Sequence, residues 1–176
     1  KDMIARYGTY FVTGNHEYYS GVDSWLDETD RLGMINLINE NRILSKDGGN
    51  IAIAGITDFR AHQIKRVHRS NPKKALSNID KNTTKIMLAH QPNSIFSVHD
   101  AGVDLQLSGH THGMQFGIEV PGFKWSPAKY RYKEWAGLYK QNNSQIYVNR
   151  GLGHLGYAGR VGIMPDVSIL NIKNKI

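Results

Sequence analysis

A chain of 176 residues, 40% hydrophobic and with 18 glycines, has the size and composition of one globular domain with a substantial core. It contains no cysteine, which excludes a disulfide framework and any thiolate metal site, so a bound metal would be held by His, Asn and carboxylates. The formal charge of +7 admits an anionic partner, but Lys and Arg gather only in two modest clusters, Lys65 to Lys74 and Lys124 to Lys133, read as solvated basic faces.

Taken in chain order, Tyr10-Phe11-Val12-Thr13 is a β-branched and aromatic run ending at Gly14, which predicts a strand entering a tight loop. Ser20 and Asp23 have the spacing of a capping box. Val22, Trp25, Leu26, Thr29 and Leu32 then follow the spacing of a helix face that stops at Gly33. Arg42 to Ser45 and Ile51 to Ile56 read as strands joined by the turn around Asp47-Gly48-Gly49-Asn50. The second of these is apolar on both faces, the pattern of a central buried strand. Pro72 is placed for the first turn of a helix reaching Ile79.

Lys85 to Ala89 predicts a further buried strand, ending at His90, and Pro92 opens a short helix from Ser94 to Ala101. Asp104 to Ser108 is another strand, ending at Gly109-His110. From Gly113 onward helical periodicity is absent; hairpin signals such as Gln141-Asn142-Asn143-Ser144 predict strands, the last at Val167 to Ile172. No apolar run approaches the roughly 18 to 20 residues of a membrane span. With no repeat or low-complexity linker, the expectation is a single domain over residues 1–176.

Three strands thus end in polar segments: Gly14-Asn15-His16-Glu17, Ala89-His90-Gln91-Pro92 and Gly109-His110-Thr111-His112-Gly113. Polar residues at the ends of buried strands line the crevice where α/β sheets bind ligands. A lone His at a strand end is more often structural than a ligand, and Gly-Asn alone is usually a turn. Two imidazoles set between permissive glycines have no obvious core role, however, and three such segments in order argue against coincidence. In a strand His110 and His112 would face one side; in a loop they could diverge toward two ions.

These segments resemble the third, fourth and fifth blocks of the calcineurin-like metallophosphoesterases. The longer strings Tyr10 to Tyr19 and Leu107 to Gln115, with Asn149-Arg150-Gly151-Leu152-Gly153 and Pro165-Asp166-Val167, are similar to a bacterial, membrane-associated branch of that superfamily. The resemblance implies an α/β fold: a two-sheet sandwich flanked by helices, here without its first strands. It implies a metal-dependent phosphoester hydrolase acting on a phosphomonoester, phosphodiester or pyrophosphate bond, with lipid-linked substrates included. Two divalent ions, of Mn, Fe, Zn or Mg, would form the cofactor. Asn15, His90 and His110 would bind the second ion and His112 the first, while His16 would act as the catalytic residue at the scissile phosphate, as a proton donor or as a positive contact for the transition state. Tyr18 and His154 are candidate substrate contacts, with Tyr19, Asp58 and Arg60 weaker ones.

The family's first two blocks, Asp-x-His and Gly-Asp-x-x-Asp, stand upstream of Gly-Asn-His-Glu. Fourteen residues precede Asn15, and Asp2 is the one carboxylate among them. The expectation is therefore a partly occupied metal site, little hydrolase activity in the chain as it stands, and an exposed sheet edge that favours self-association. Membrane association would come through an upstream segment, on a side of the membrane left open. The aromatic-basic stretch Trp125, Tyr130, Tyr132 and Trp135 reads as a loop packed on the domain, with membrane-interface docking as its rival. Alternative functions are a non-catalytic scaffold and a metal-dependent nuclease, the latter supported only by charge; nucleic acid is not the favoured partner.

Overall fold

The doubly apolar run Ile51 to Ile56 lies inside a sheet, as its composition predicts. The computed structural model describes residues 5–141 and 143–173, apart from the side chains of 96 and 97. Six strands are hydrogen-bonded in the order β3 (Glu40–Lys46), β4 (Gly49–Gly55), β5 (Thr84–Leu88), β6 (Leu105–Ser108), β10 (Ser144–Val148) and β9 (Gly137–Gln141). The four inner strands run parallel, and β3 and β9 pair antiparallel at the two edges. Two-stranded sheets are formed by β1 (Tyr10–Phe11) with β2 (Ile35–Asn36) and by β7 (Ile118–Val120) with β8 (Phe123–Trp125). The α/β class expected from the sequence is the class observed.

Parallel pairing brings the ends of the inner strands to one margin of the sheet. The pairing continues past them: Ala89 N donates to Leu107 O (3.0 Å), Gly109 N to His90 O (3.0 Å) and Asn149 N to Ser108 O (2.8 Å). His90 and His110 therefore leave adjacent strands in register. The β1–β2 pair joins the same margin because Gly55, the last residue of β4, has no side chain. A Cβ there would overlap Leu37 and stand 2.6 Å from Val12 Cγ1.

Ala54, Ile56, Met87 and Ala89 from β4, β5 and the residues following them pack against Ala75, Val98 and Val103, all fully or almost fully buried. Burial of these apolar side chains, worth about 25 cal/mol per Å² removed from water, holds the strand ends rigid beneath the polar segments. Ile95, Ile146 and Val148 form a second cluster. Ile95 belongs to α4 (Ile95–Asp100), which begins just after the Pro92 turn.

Several local expectations change. Gly14 leads directly into a helix, α1 (Asn15–Ser20), rather than a loop, because the Glu17 carboxylate accepts from Gly14 N at 2.6 Å and closes the first turn. Ser20 does not cap the next helix. Gly21, at φ +99°, separates α1 from α2 (Val22–Arg31), and Ser20 Oγ instead donates to His16 O (2.7 Å) and accepts from Trp25 Nε1 (2.8 Å). The helix opened by Pro72 is α3 (Pro72–Ala75), short of Ile79. Its end is tied down by Asn41 Nδ2, which donates to Ala75 O and Ser77 O (2.7 and 3.2 Å).

Val167 to Ile172 is not a strand. That segment lies against the sheet through side chains: Ser168 Oγ is 2.7 Å from Tyr147 Oη and accepts from Asn149 Nδ2 at 2.8 Å. Ile169 to Ile172 line a cavity of about 680 Å³ with Thr84, Ile86, Leu105 and Tyr147. The hairpin signal at 141–144 is answered by the β9–β10 hairpin, with Gln141 opposite Ser144. Among the described residues, no helix is long and apolar enough to cross a membrane.

Candidate metal centre

Asn15 opens α1 with three residues between it and the end of β1, His90 follows β5, and His110 follows β6. Their polar atoms meet. Asn15 Oδ1 is 3.2 Å from His90 Nε2 and 3.1 Å from His110 Nδ1, and the two ring nitrogens are 3.1 Å apart. The imidazoles stand edge to face, with centroids 5.0 Å apart and planes at 75°. Gly14 makes room for this arrangement, since a Cβ there would be 2.8 Å from His90 Cε1 and Nε2.

This donor set fits a divalent cation. Ligand atoms bound about 2.0–2.2 Å from one ion stand roughly 3 Å from each other, and His nitrogen with amide oxygen suits borderline metals. Among the described residues no group of three or more His, Cys, Asp or Glu is arranged to hold an ion. The convergent set is two imidazoles and one amide.

Electrostatics keep these rings neutral. Burial, with smaller contributions from His110, His112 and His16, pushes His90 down to about 3. Burial likewise lowers His110, with the Asp58 carboxylate opposing it. His112 is lowered mainly by burial, while a hydrogen bond with the Gly153 backbone works the other way. Neutral imidazole is the form that ligates a metal, so the rings release no net proton on binding one near neutral pH. Nε2 of His110 is 2.9 Å from the Tyr132 hydroxyl.

His112 does not join the triangle formed by Asn15, His90 and His110. It sits in a turn where His110, His112, Met114 and Gln115 all have positive φ (68°, 51°, 49° and 57°), a conformation that costs non-glycine residues energy unless the surroundings hold it. The surroundings hold it well. Thr111 Oγ1 donates to Trp135 O (2.7 Å), Ser126 Oγ to Gly113 O (2.6 Å), and Gln115 Nε2 to Tyr157 O and Gly159 O (2.7 and 2.8 Å). Nδ1 of His112 is buried without a hydrogen-bond partner, the state of a donor atom that lacks its ligand.

His16 is exposed on α1, its ring edge-on to Tyr19 at 5.6 Å, and near enough for its charge to depress His90, His110 and His112. His154 is exposed in the glycine-rich loop on the His112 side. Tyr18 points elsewhere. It is buried, its hydroxyl lies 3.2 Å from Thr13 Oγ1 and 3.0 Å from His68 Nδ1, and burial raises it to about 12. Asp58 is also buried: its carboxylate accepts from Arg60 N (2.9 Å) and Gln91 Nε2 (2.8 Å), which braces the residue after His90. Sequence reasoning missed Gln91 in this role and missed Tyr132 at the site. Position beside His90 was the one available signal for the former.

The chain is 34% identical over 180 residues to a bovine "Transmembrane protein with metallophosphoesterase domain", a match covering 96% of this chain and 39% of the relative. It is 35% identical over 177 residues to an "Uncharacterized metallophosphoesterase" of Helicobacter pylori, covering 99% of this chain and 45% of the relative. It is 30% identical over 178 residues to the "Uncharacterized metallophosphoesterase YkuE" of Bacillus subtilis, covering 99% and 59%. The chain thus spans less than half the length of the bovine and Helicobacter relatives. No solved structure matches it. The family model for calcineurin-like phosphoesterases matches residues 1–114, a stretch that contains Asn15, His90, His110 and His112. The chain belongs to the calcineurin-like phosphoesterase family.

Proposed function

We propose that the whole protein is a metal-dependent phosphoester hydrolase whose substrate is a phosphomonoester, a phosphodiester or a pyrophosphate. The observation that carries this reading is the triangle of Asn15 Oδ1, His90 Nε2 and His110 Nδ1, with sides of 3.1–3.2 Å. These three residues would hold one divalent ion, of Mn, Fe, Zn or Mg, and His112 would contribute its buried, unpartnered Nδ1 to a second. Bound ions of this kind polarise the phosphoryl group and supply a hydroxide at neutral pH.

The remaining steps belong to the chain's own residues. His16, exposed beside the triangle, would hold a proton on its imidazole and deliver it to the leaving oxygen. The His16 ring stands edge-on to Tyr19, with centroids 5.6 Å apart. The buried walls under His90 and His110 exclude water from behind the donors and strengthen their electrostatic action.

Membrane association is part of the proposal, supported by the word "transmembrane" in the names of the bovine and zebrafish relatives, and a lipid-linked substrate is proposed with it. The test is hydrolysis by the whole protein of an aryl phosphomonoester, an aryl phosphodiester and a nucleotide pyrophosphate, each with and without Mn²⁺. Hydrolysis of one class that requires the ion supports the reading. No hydrolysis of any class would favour the scaffold alternative, and cleavage of DNA alone would favour the nuclease.

A further inference from the structure

Tyr132 lies in the aromatic-basic stretch that the sequence reads as a packed or membrane-facing loop. In the fold its hydroxyl stands 2.9 Å from Nε2 of His110, and the two rings meet edge to face with centroids 5.5 Å apart at 89°. The placement is anchored. Tyr132 packs on the buried cluster of Ala128, Trp135, Ala136 and Ile163, and the Thr111–Trp135 and Ser126–Gly113 hydrogen bonds clamp this stretch onto the turn that follows His110.

A neutral imidazole has one N–H and one lone pair, and the partner of one nitrogen decides which the other presents. Nδ1 of His110 faces Asn15 Oδ1 and His90 Nε2, both at 3.1 Å. It can serve a cation only if the ring proton is on Nε2. A hydroxyl is the group that suits both states, since it donates to a bare Nε2 and accepts from a protonated one.

We propose that Tyr132 is a positioning residue that orients the His110 ring, so that Nδ1 faces the donor triangle in both tautomers. In the metal-free protein its hydroxyl donates to Nε2, and Nδ1–H donates to Asn15 Oδ1. With a divalent cation on Nδ1, the hydroxyl accepts from Nε2–H. The ring stays neutral throughout: Nδ1 gives up one proton, Nε2 takes up one, and the hydroxyl hydrogen of the half-buried Tyr132 turns to solvent. Tyr132 touches neither substrate nor ion, and its role rests on the metal reading above.

The experiment reads the ring nitrogens of His110 by long-range ¹H–¹⁵N NMR, with and without Zn²⁺, in wild type and Tyr132→Phe. In wild type the proton should reside on Nδ1 without the ion and on Nε2 with it, the latter exchanging slowly with water. Tyr132→Phe keeps the ring packing and removes the hydroxyl. It should bind Zn²⁺ about 10-fold more weakly, with Nε2–H exchanging faster. Equal affinity and equal exchange in the two proteins, with Zn²⁺ on Nδ1 in both, would overturn the role of Tyr132 alone. A proton that stays on Nδ1 in Zn²⁺-loaded wild type would overturn it as well. Failure of both proteins to bind Zn²⁺ would overturn the metal reading, and this inference with it.

Discussion

His90 Nε2 and His110 Nδ1 face each other at 3.1 Å, two imidazoles from adjacent parallel strands with their nitrogens turned inward. Burial depresses the protonation of both rings, and the charge of His110 depresses His90 further. The folded pKa of His90, about 3, lies below the ordinary value of 6.5. The unfolded chain therefore binds the extra proton first as pH falls. The stability linked to this group is fully present above pH 6.5 and is lost as pH drops toward 3. Metal-free protein should accordingly lose stability, by up to a few kcal/mol, between neutral pH and about pH 4. Urea titrations across that range should show a shallower dependence in His90→Asn; an identical slope would contradict the assignment.

Gly14 is the residue that admits the His90 ring. Gly14→Ala places a methyl 2.8 Å from His90 Nε2, and overpacking of this kind costs about 1–3 kcal/mol. Chemical denaturation should show that loss together with weaker metal binding. A variant as stable as wild type, binding metal equally well, would mean that the ring has another place to go.

His16 is not one of the triangle's donors and is exposed, as a group that reaches substrate must be. His16→Ala in the whole protein should lower kcat by about 10²–10⁴-fold, the range for a lost general acid, and leave KM nearly unchanged. A substrate with a leaving group that needs no proton should lose much less. Unchanged kcat on an alkyl phosphoester would remove His16 from the chemistry.

Arg160 ties the glycine-rich loop to the His112 turn. Its Nη1 donates to His112 O at 3.1 Å, and its Nη2 to the carbonyls of Arg150, Gly151 and Gly153 at 2.9, 3.0 and 2.7 Å. Arg160→Met keeps much of the side-chain bulk and removes all four bonds. Hydrogen exchange should then speed up in residues 151–160 and around His112, while the β4–β5–β6 core stays protected. Uniform exchange across both regions would show that the loop is held by other contacts.

The donor segments were legible in the sequence because each follows a run of strand composition, and because glycine marks the place where the chain leaves two of them, at Gly14 and Gly109. The same local signals misled elsewhere. Ser20-x-x-Asp23 has the spacing of a cap, but Gly21 at φ +99° breaks the chain between two helices there. Val167 to Ile172 has strand composition, but a strand needs a backbone partner, and this segment is held by Ser168 Oγ near Tyr147 and Asn149. Tyr132 was invisible as a partner of His110 because the two are 22 residues apart and meet only through the packing of Ala128, Trp135 and Ile163. Tyr18, flagged as a substrate contact because it is close in sequence to His16, turns inward to Thr13 and His68.

The central claim is that Asn15, His90 and His110 bind one divalent ion together. Elemental analysis of metal-loaded protein after gel filtration tests it most directly, comparing wild type with His90→Ala and His110→Ala under the same Mn²⁺ or Zn²⁺ exposure. Each substitution should remove the same ion from wild-type stoichiometry, and the double substitution should remove no more than either alone. Full stoichiometry in either single variant would contradict the shared site.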